Sequence, residues 1–293
     1  MKKILTSLAF VLVVFAVYRY ASTENKIDAS SQNDSIDLVA PVSAGEREAL
    51  DGQETAVSHT GLGIHSVFDG YPTGAPAEDQ VVVHTGYSLA YNETHEQPDW
   101  VCYILTKAEI KSTTKTKRTD NFRPDEAVSS FSATPQDYSK SGYDRGHLAP
   151  AADMSWSEQT MSESFFMSNM SPQSPAFNRG IWKELEEKVR DWAVANDSLF
   201  VVTGPVFLDN KGQIGKEKVT IPGHYYKVIL DMSGPTYKAI AFYLPNEGSD
   251  KPIYSFAITV DALEKITGIN FFGKLPAATL EPLESTMDVK LWP

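Results

Sequence analysis

The chain has 293 residues, 42% of them hydrophobic, which suffices for one large domain or two small ones with a substantial core. Its formal net charge of −12 has the wrong sign for a protein that coats nucleic acid, although an enzyme that touches a polyanion briefly is compatible with it. The single cysteine, Cys102, excludes an intramolecular disulfide and a cysteine-based zinc site, and within Trp100-Val101-Cys102-Tyr103-Ile104-Leu105 it reads as a small buried hydrophobe.

At the N-terminus, Lys2 and Lys3 precede an apolar run from Ile4 to Val17, the pattern of a secretory signal. The run is short for a spanning helix, which needs about 20 apolar residues. Tyr18-Arg19-Tyr20-Ala21-Ser22 departs from a small-x-small cleavage site, so an uncleaved membrane anchor stays open. Residues 1–21 are therefore expected to export the protein, free or tethered. Residues 22–60, rich in Ser, Asp, Glu, Gln and Asn, are expected to be an acidic disordered linker. A folded domain is expected over 61–293.

Within that domain, Val81 to Tyr91 predicts one strand, and Trp100 to Leu105 a second bounded by Pro98. A basic stretch follows: Lys107, Lys111, Lys115, Lys117, Arg118 and Arg123, opposed mainly by Glu109 and Asp120. Such runs are ordinarily solvated loops, yet here the run could also face a phosphate backbone. Phe165 to Met170 predicts a short strand, broken by Ser171-Pro172-Gln173-Ser174-Pro175. Phe177, Ile181, Trp182, Leu185, Val189 and Trp192 then form one face of an amphipathic helix, with Asn178 in its first turn. Leu199 to Phe207 predicts a strand, and Tyr225–Met232 with Tyr237–Leu244 a hairpin. Ser255 to Val260 predicts a final strand running into a helix capped by Asp261 and Gly268. Strands on both sides of a central helix, without regular βαβ alternation, predict an α+β fold with a mixed, largely antiparallel sheet.

Tyr143-Asp144-Arg145-Gly146-His147-Leu148-Ala149-Pro150 concentrates the chemistry. The six histidines include no HExxH pair, and there is no Gly-x-Ser-x-Gly elbow, phosphate-binding P-loop or GxGxxG fingerprint. What remains is one histidine with arginines, an amide and a carboxylate. That inventory suits phosphodiester hydrolysis, in which a base activates water and positive charge offsets the crowded phosphorus centre. For the tetrapeptide alone, a structural Asp144–Arg145 pair and a core histidine would serve equally well.

Three segments carry a more specific resemblance: Asp144 to Pro150, Ser168-Asn169-Met170-Ser171-Pro172-Gln173, and Phe177-Asn178-Arg179-Gly180-Ile181-Trp182-Lys183-Glu184-Leu185-Glu186. In order and spacing they resemble the DNA/RNA non-specific endonucleases, the ββα-metal or His-Me finger nucleases that include endonuclease G. The resemblance spans roughly residues 64 to 276. It implies a ββα-metal finger with packed helices, and hydrolysis of DNA and RNA with little sequence preference. His147 would be the general base and Asn178 the direct protein ligand of Mg²⁺, with Mn²⁺ as an alternative ion. Asn169 would help orient His147, Glu186 would hold metal-bound water, and Arg190 would approach the phosphate. Arg145 matches the motif's arginine, and Arg118 resembles the upstream one, with Lys117 and Arg123 as competing neighbours. Asp144 is expected to be structural. Family members differ in dimerisation, so a homodimer stays open; no protein partner is evident. The contrasting expectation is a non-catalytic surface protein that binds nucleic acid.

Overall fold

The computed structural model describes residues 71–234 and 237–293. The expected export segment, the linker and the expected start of the domain at Gly61 lie outside the described residues. Strands β1 (Gln80–Val83), β2 (Ser88–Asn92), β3 (Gln97–Thr106), β6 (Ser198–Val206), β9 (His224–Asp231), β10 (Lys238–Pro245) and β11 (Ala257–Ile258) form one seven-stranded sheet in that order. Every neighbouring pair in it is antiparallel. The expected α+β class is observed, and the sheet is wholly rather than largely antiparallel.

Alternation along the central strands builds two cores, because successive side chains leave a strand on opposite faces. Val101, Tyr103, Val201, Tyr225, Ile229, Ile240 and Phe242 point to one core; Trp100, Cys102, Phe200, Val202, Tyr226, Val228, Ala239 and Ala241 point to the other. The first face is covered by the long helix α4 (Ile181–Ala195), which buries Ile181, Trp182, Leu185, Val189 and Trp192. Removing each of those large side chains from water contributes roughly 1.5–3 kcal/mol. The second face is covered by α5 (Val260–Thr267) and α6 (Ala277–Ser285), through Val260, Leu263 and Leu283. Short helices α1 (Lys107–Ile110) and α2 (Glu158–Glu163) and the two-residue ribbon β7 (Gln213–Ile214) with β8 (Val219–Thr220) complete the loops around the sheet.

A second ribbon stands apart from the large sheet. Strand β4 (Asp144–His147) pairs antiparallel with β5 (Met170–Gln173), in register Asp144↔Gln173 to His147↔Met170. Helix α3 (Pro175–Asn178) follows directly, capped by Ser174 with Pro175 in its first turn, and leads into α4. This ββα finger is fixed to the large sheet through β5: Ser171 Oγ lies 2.6 Å from Tyr225 Oη, which donates to the Pro172 carbonyl at 3.0 Å.

Several boundaries differ from the sequence reading. Val81–Tyr91 is a hairpin rather than one strand, because the chain turns over residues 84–87. The ladder absorbs Pro98 at β3 and Pro205 in β6. Phe165–Asn169 is a turn and a 3-10 helix; the strand is the segment after it, and Pro172 is tolerated there because β5 pairs on only one side. The last strand shrinks to Ala257–Ile258, and Thr259 rather than Asp261 caps α5, its side chain accepting from the Ala262 amide. Gly268 closes that helix as expected, in the left-handed conformation.

Candidate active site

His147 ends β4, only 9% exposed. Gly146 makes this strand pairing fit: a Cβ there would come within 2.2 Å of the Gln173 side chain on the opposing strand. The imidazole meets the edges of two aromatic rings, Phe165 at 4.9 Å and Phe122 at 5.8 Å between centroids. Each ring also carries a guanidinium. Arg118 lies over Phe165 and Arg145 over Phe122, both 4.8 Å from the centroid. The two expected arginines and the histidine thus share one aromatic frame. Arg118 is held by Asp120 through an exposed 2.7 Å contact, and Arg145 donates to the Pro135 carbonyl at 3.3 Å. Arg123, a rival for the upstream role, is a tether instead. It donates to the Asn121 and Ser162 carbonyls and stacks on Phe166.

Burial, with the Arg118 charge adding to it, lowers the His147 pKa to about 3. The ring is therefore neutral at physiological pH. Its Nε2 is buried and has no hydrogen-bond partner among the described residues. A neutral ring nitrogen with an unused lone pair can accept a proton.

Among the described residues, no hydrogen bond joins Asn169 to the imidazole. Its side chain accepts from the Ala149 amide at 2.8 Å and donates to the Ala149 and Ser164 carbonyls, while its own carbonyl accepts from Leu148. It fixes the backbone just after His147 and so positions the ring indirectly. The segment carrying Phe122 is fastened nearby: Asp125 accepts from Ser168 Oγ at 2.5 Å and meets His84 Nε2 at 2.8 Å.

Asn178 is the last residue of α3, not part of one helix with Glu186 and Arg190. The break falls at Gly180, where a Cβ would stand 2.5 Å from the Ala176 carbonyl oxygen. Asp144 couples this short helix to β4. It accepts from Asn178 Nδ2 at 2.9 Å and receives a two-point contact from Arg179 at 2.8 and 2.7 Å. Burial would raise the Asp144 pKa, but the hydrogen bonds from Arg179 and Asn178 outweigh it and hold the group below the usual carboxylate range. A carboxylate only accepts, so the amide must turn its nitrogen to Asp144. That leaves Asn178 Oδ1, the atom a cation would need, without a partner among the described residues. A neutral amide oxygen is a donor that suits a hard cation.

The model for the DNA/RNA non-specific endonucleases matches residues 66–278. The chain belongs to that family. This endonuclease is 36% identical over 248 residues to the mitochondrial nuclease EXOG of Danio rerio, covering 78% of this chain and 71% of the relative. It is 32% identical over 212 residues to human mitochondrial endonuclease G, covering 68% and 71%. Nuclease C1 of Cunninghamella echinulata is 38% identical over 212 residues, covering 67% and 84%. Among solved structures, a crystal structure of the EndoG/EndoGI complex superposes with a TM-score of 0.64 at 31% identity, covering 69% of this chain and 89% of that one.

Beneath the site the endonuclease holds a polar network that motif reading missed. Arg190 pairs with Asp153 at 2.9 Å, and the other Asp153 oxygen accepts from Tyr103 Oη at 2.9 Å. Glu186 feels Lys227, Asp153 and Arg190; burial raises its pKa, Lys227 opposes the rise and Asp153 adds to it. Lys227 is 0% exposed, lies 4.7 Å over the Trp182 ring, and burial lowers its pKa against the pull of Glu186. A lysine inside the apolar run Tyr225-Tyr226-Lys227-Val228-Ile229 was the one available signal. Asp153, in a loop without periodicity, gave none.

Proposed function

We propose that the protein is a metal-dependent endonuclease that hydrolyses DNA and RNA phosphodiesters with little sequence preference, using His147 as the general base. The observation that carries this reading is the neutral imidazole framed by the rings that carry Arg118 and Arg145. The neutral His147 imidazole takes a proton from water as the water oxygen attacks phosphorus in line, and the bond to the 3′ oxygen breaks. The 3′ oxygen is protonated from solvent, and the product carries a 5′ phosphate. Arg145 and Arg118 offset charge on the non-bridging oxygens, a role for which a planar guanidinium is suited. Asn178 would hold Mg²⁺, or Mn²⁺, with Glu186 acting through the ion's hydration shell, and the bound ion would supply further positive charge at phosphorus. Asp144 keeps Asn178 in the orientation this needs. The test is cleavage of plasmid DNA and of RNA by the purified protein with Mg²⁺ and with EDTA. Cleavage of both, abolished by EDTA, supports the reading; undiminished cleavage in EDTA refutes it.

We also propose that residues 1–21 direct export. Mass spectrometry of the mature N-terminus from the native host separates a cleaved signal from a retained anchor. Recovery of the full-length chain in the soluble cytoplasmic fraction would contradict both.

A further inference from the structure

On the face of the sheet opposite α4, three carboxylates converge between α5 and α6. Asp261 lies in the first turn of α5, Glu264 lies one turn later on the same side, and Glu284 lies in the last turn of α6. One oxygen from each lies within 4.8 Å of the others. Glu284 is only 8% exposed, and its Oε1 is buried without a hydrogen-bond partner among the described residues. Glu264 spends one oxygen on the Phe271 amide, at 2.9 Å. Among the described residues, the exposed Lys265 acts on Glu264.

An unpaired carboxylate buried against two others is costly unless positive charge joins it. The arrangement is imposed from outside the cluster, because Leu263 and Leu283 lock both helices into the apolar core. A proton and a cation compete for such an oxygen.

We propose that Asp261, Glu264 and Glu284 form a second divalent-cation site, suited to Ca²⁺, that fastens α6 to α5. Three oxygens with this spread can share an ion whose bonds are about 2.3–2.6 Å, with water completing an irregular shell. Mg²⁺ demands shorter bonds and a near-ideal octahedron, and dehydrates reluctantly. The site serves the C-terminal helix, which contains Pro282 and has few deeply buried side chains of its own.

The test is calorimetric titration of Ca²⁺ at neutral pH into Asn178→Ala protein and into Asn178→Ala/Glu284→Gln protein, with thermal melts of both. The two differ only at Glu284, and Asn178→Ala removes the amide proposed to hold the catalytic ion. The first should bind Ca²⁺ saturably, about tenfold or more tightly than Mg²⁺. It should melt roughly 5–10 °C higher at Ca²⁺ about a hundredfold above Kd. The Glu284→Gln partner should lose both responses while melting, without Ca²⁺, at least as high as its parent, since a like charge has been removed. Asp261→Asn in the same background should also weaken binding. In the Asn178-containing protein, Glu284→Gln should leave Mg²⁺-supported cleavage unchanged. No saturable Ca²⁺ binding, or binding untouched by Glu284→Gln, would overturn the proposal and leave a proton as the occupant. Tighter binding of Mg²⁺ than Ca²⁺, or loss of cleavage in Glu284→Gln, would overturn it as well.

Discussion

Asp153→Ala tests whether the network under the site is a unit. The Asp153 carboxylate is almost wholly buried and serves Arg190 and Tyr103 together. Removing it leaves the Tyr103 hydroxyl unsatisfied, at about 1–3 kcal/mol, and takes a counter-charge from Arg190 and Lys227. Breaking a buried pair from one side costs about 3–5 kcal/mol. The lower end applies here, because loss of Asp153 also lowers the Glu186 pKa and lets that group ionise in compensation. For a domain of this size, about 2–4 °C of melting temperature corresponds to each kcal/mol. The expected drop is therefore about 6–12 °C. Denaturant unfolding of the wild type, Asp153→Ala, Arg190→Met and the double variant provides the assay. The double variant should be at least about 1 kcal/mol less destabilised than the sum of the singles. A single-variant loss below about 1 kcal/mol, or strict additivity, would refute the account.

His147 should remain neutral when followed by NMR of its ring, down to about pH 3; a midpoint near 6.5 would show that the ring is not buried as described. Because its folded pKa lies below its unfolded value, the unfolded chain binds the extra proton. Stability should thus fall from pH 6.5 downward until about pH 3, and His147→Phe should blunt that fall in acid-unfolding curves. Gly146→Ala should destabilise by about 1–3 kcal/mol in thermal melts, since its Cβ would displace Gln173; an unchanged melting temperature would mean that the strands separate freely. Arg118→Met and Arg145→Met should each slow cleavage by about tenfold or more while changing melting temperature little in the exposed Arg118 case. Equal cleavage rates would remove the arginines from the mechanism.

Legibility from sequence tracked whether a residue's role is local. His147, Arg145 and Asn178 sit in contiguous motifs; Arg118 lies in the basic stretch outside them, and the structure frames it with Arg145 on the two rings that meet His147. The hairpin of β9 and β10 was visible because two apolar runs flank Ser233-Gly234-Pro235, a turn sequence. The helix break at Gly180 was hidden, since Phe177 keeps the apolar spacing of α4 across a backbone that has stopped being helical. Strand β5 was misread because Pro172 argues against a strand unless the pairing is one-sided. Helix α6 gave weak amphipathic spacing and contains Pro282. Asp153 and Lys227 act across gaps of 37 and 41 residues, to Arg190 and Glu186 respectively, and no motif spans such a gap.

The central claim, that His147 is the base, is tested most directly by single-turnover cleavage of a defined DNA duplex with Mg²⁺, comparing wild type and His147→Ala at matched folding. The rate constant should fall by about 10²–10⁴ with substrate affinity nearly unchanged. A rate within about tenfold of wild type would contradict it.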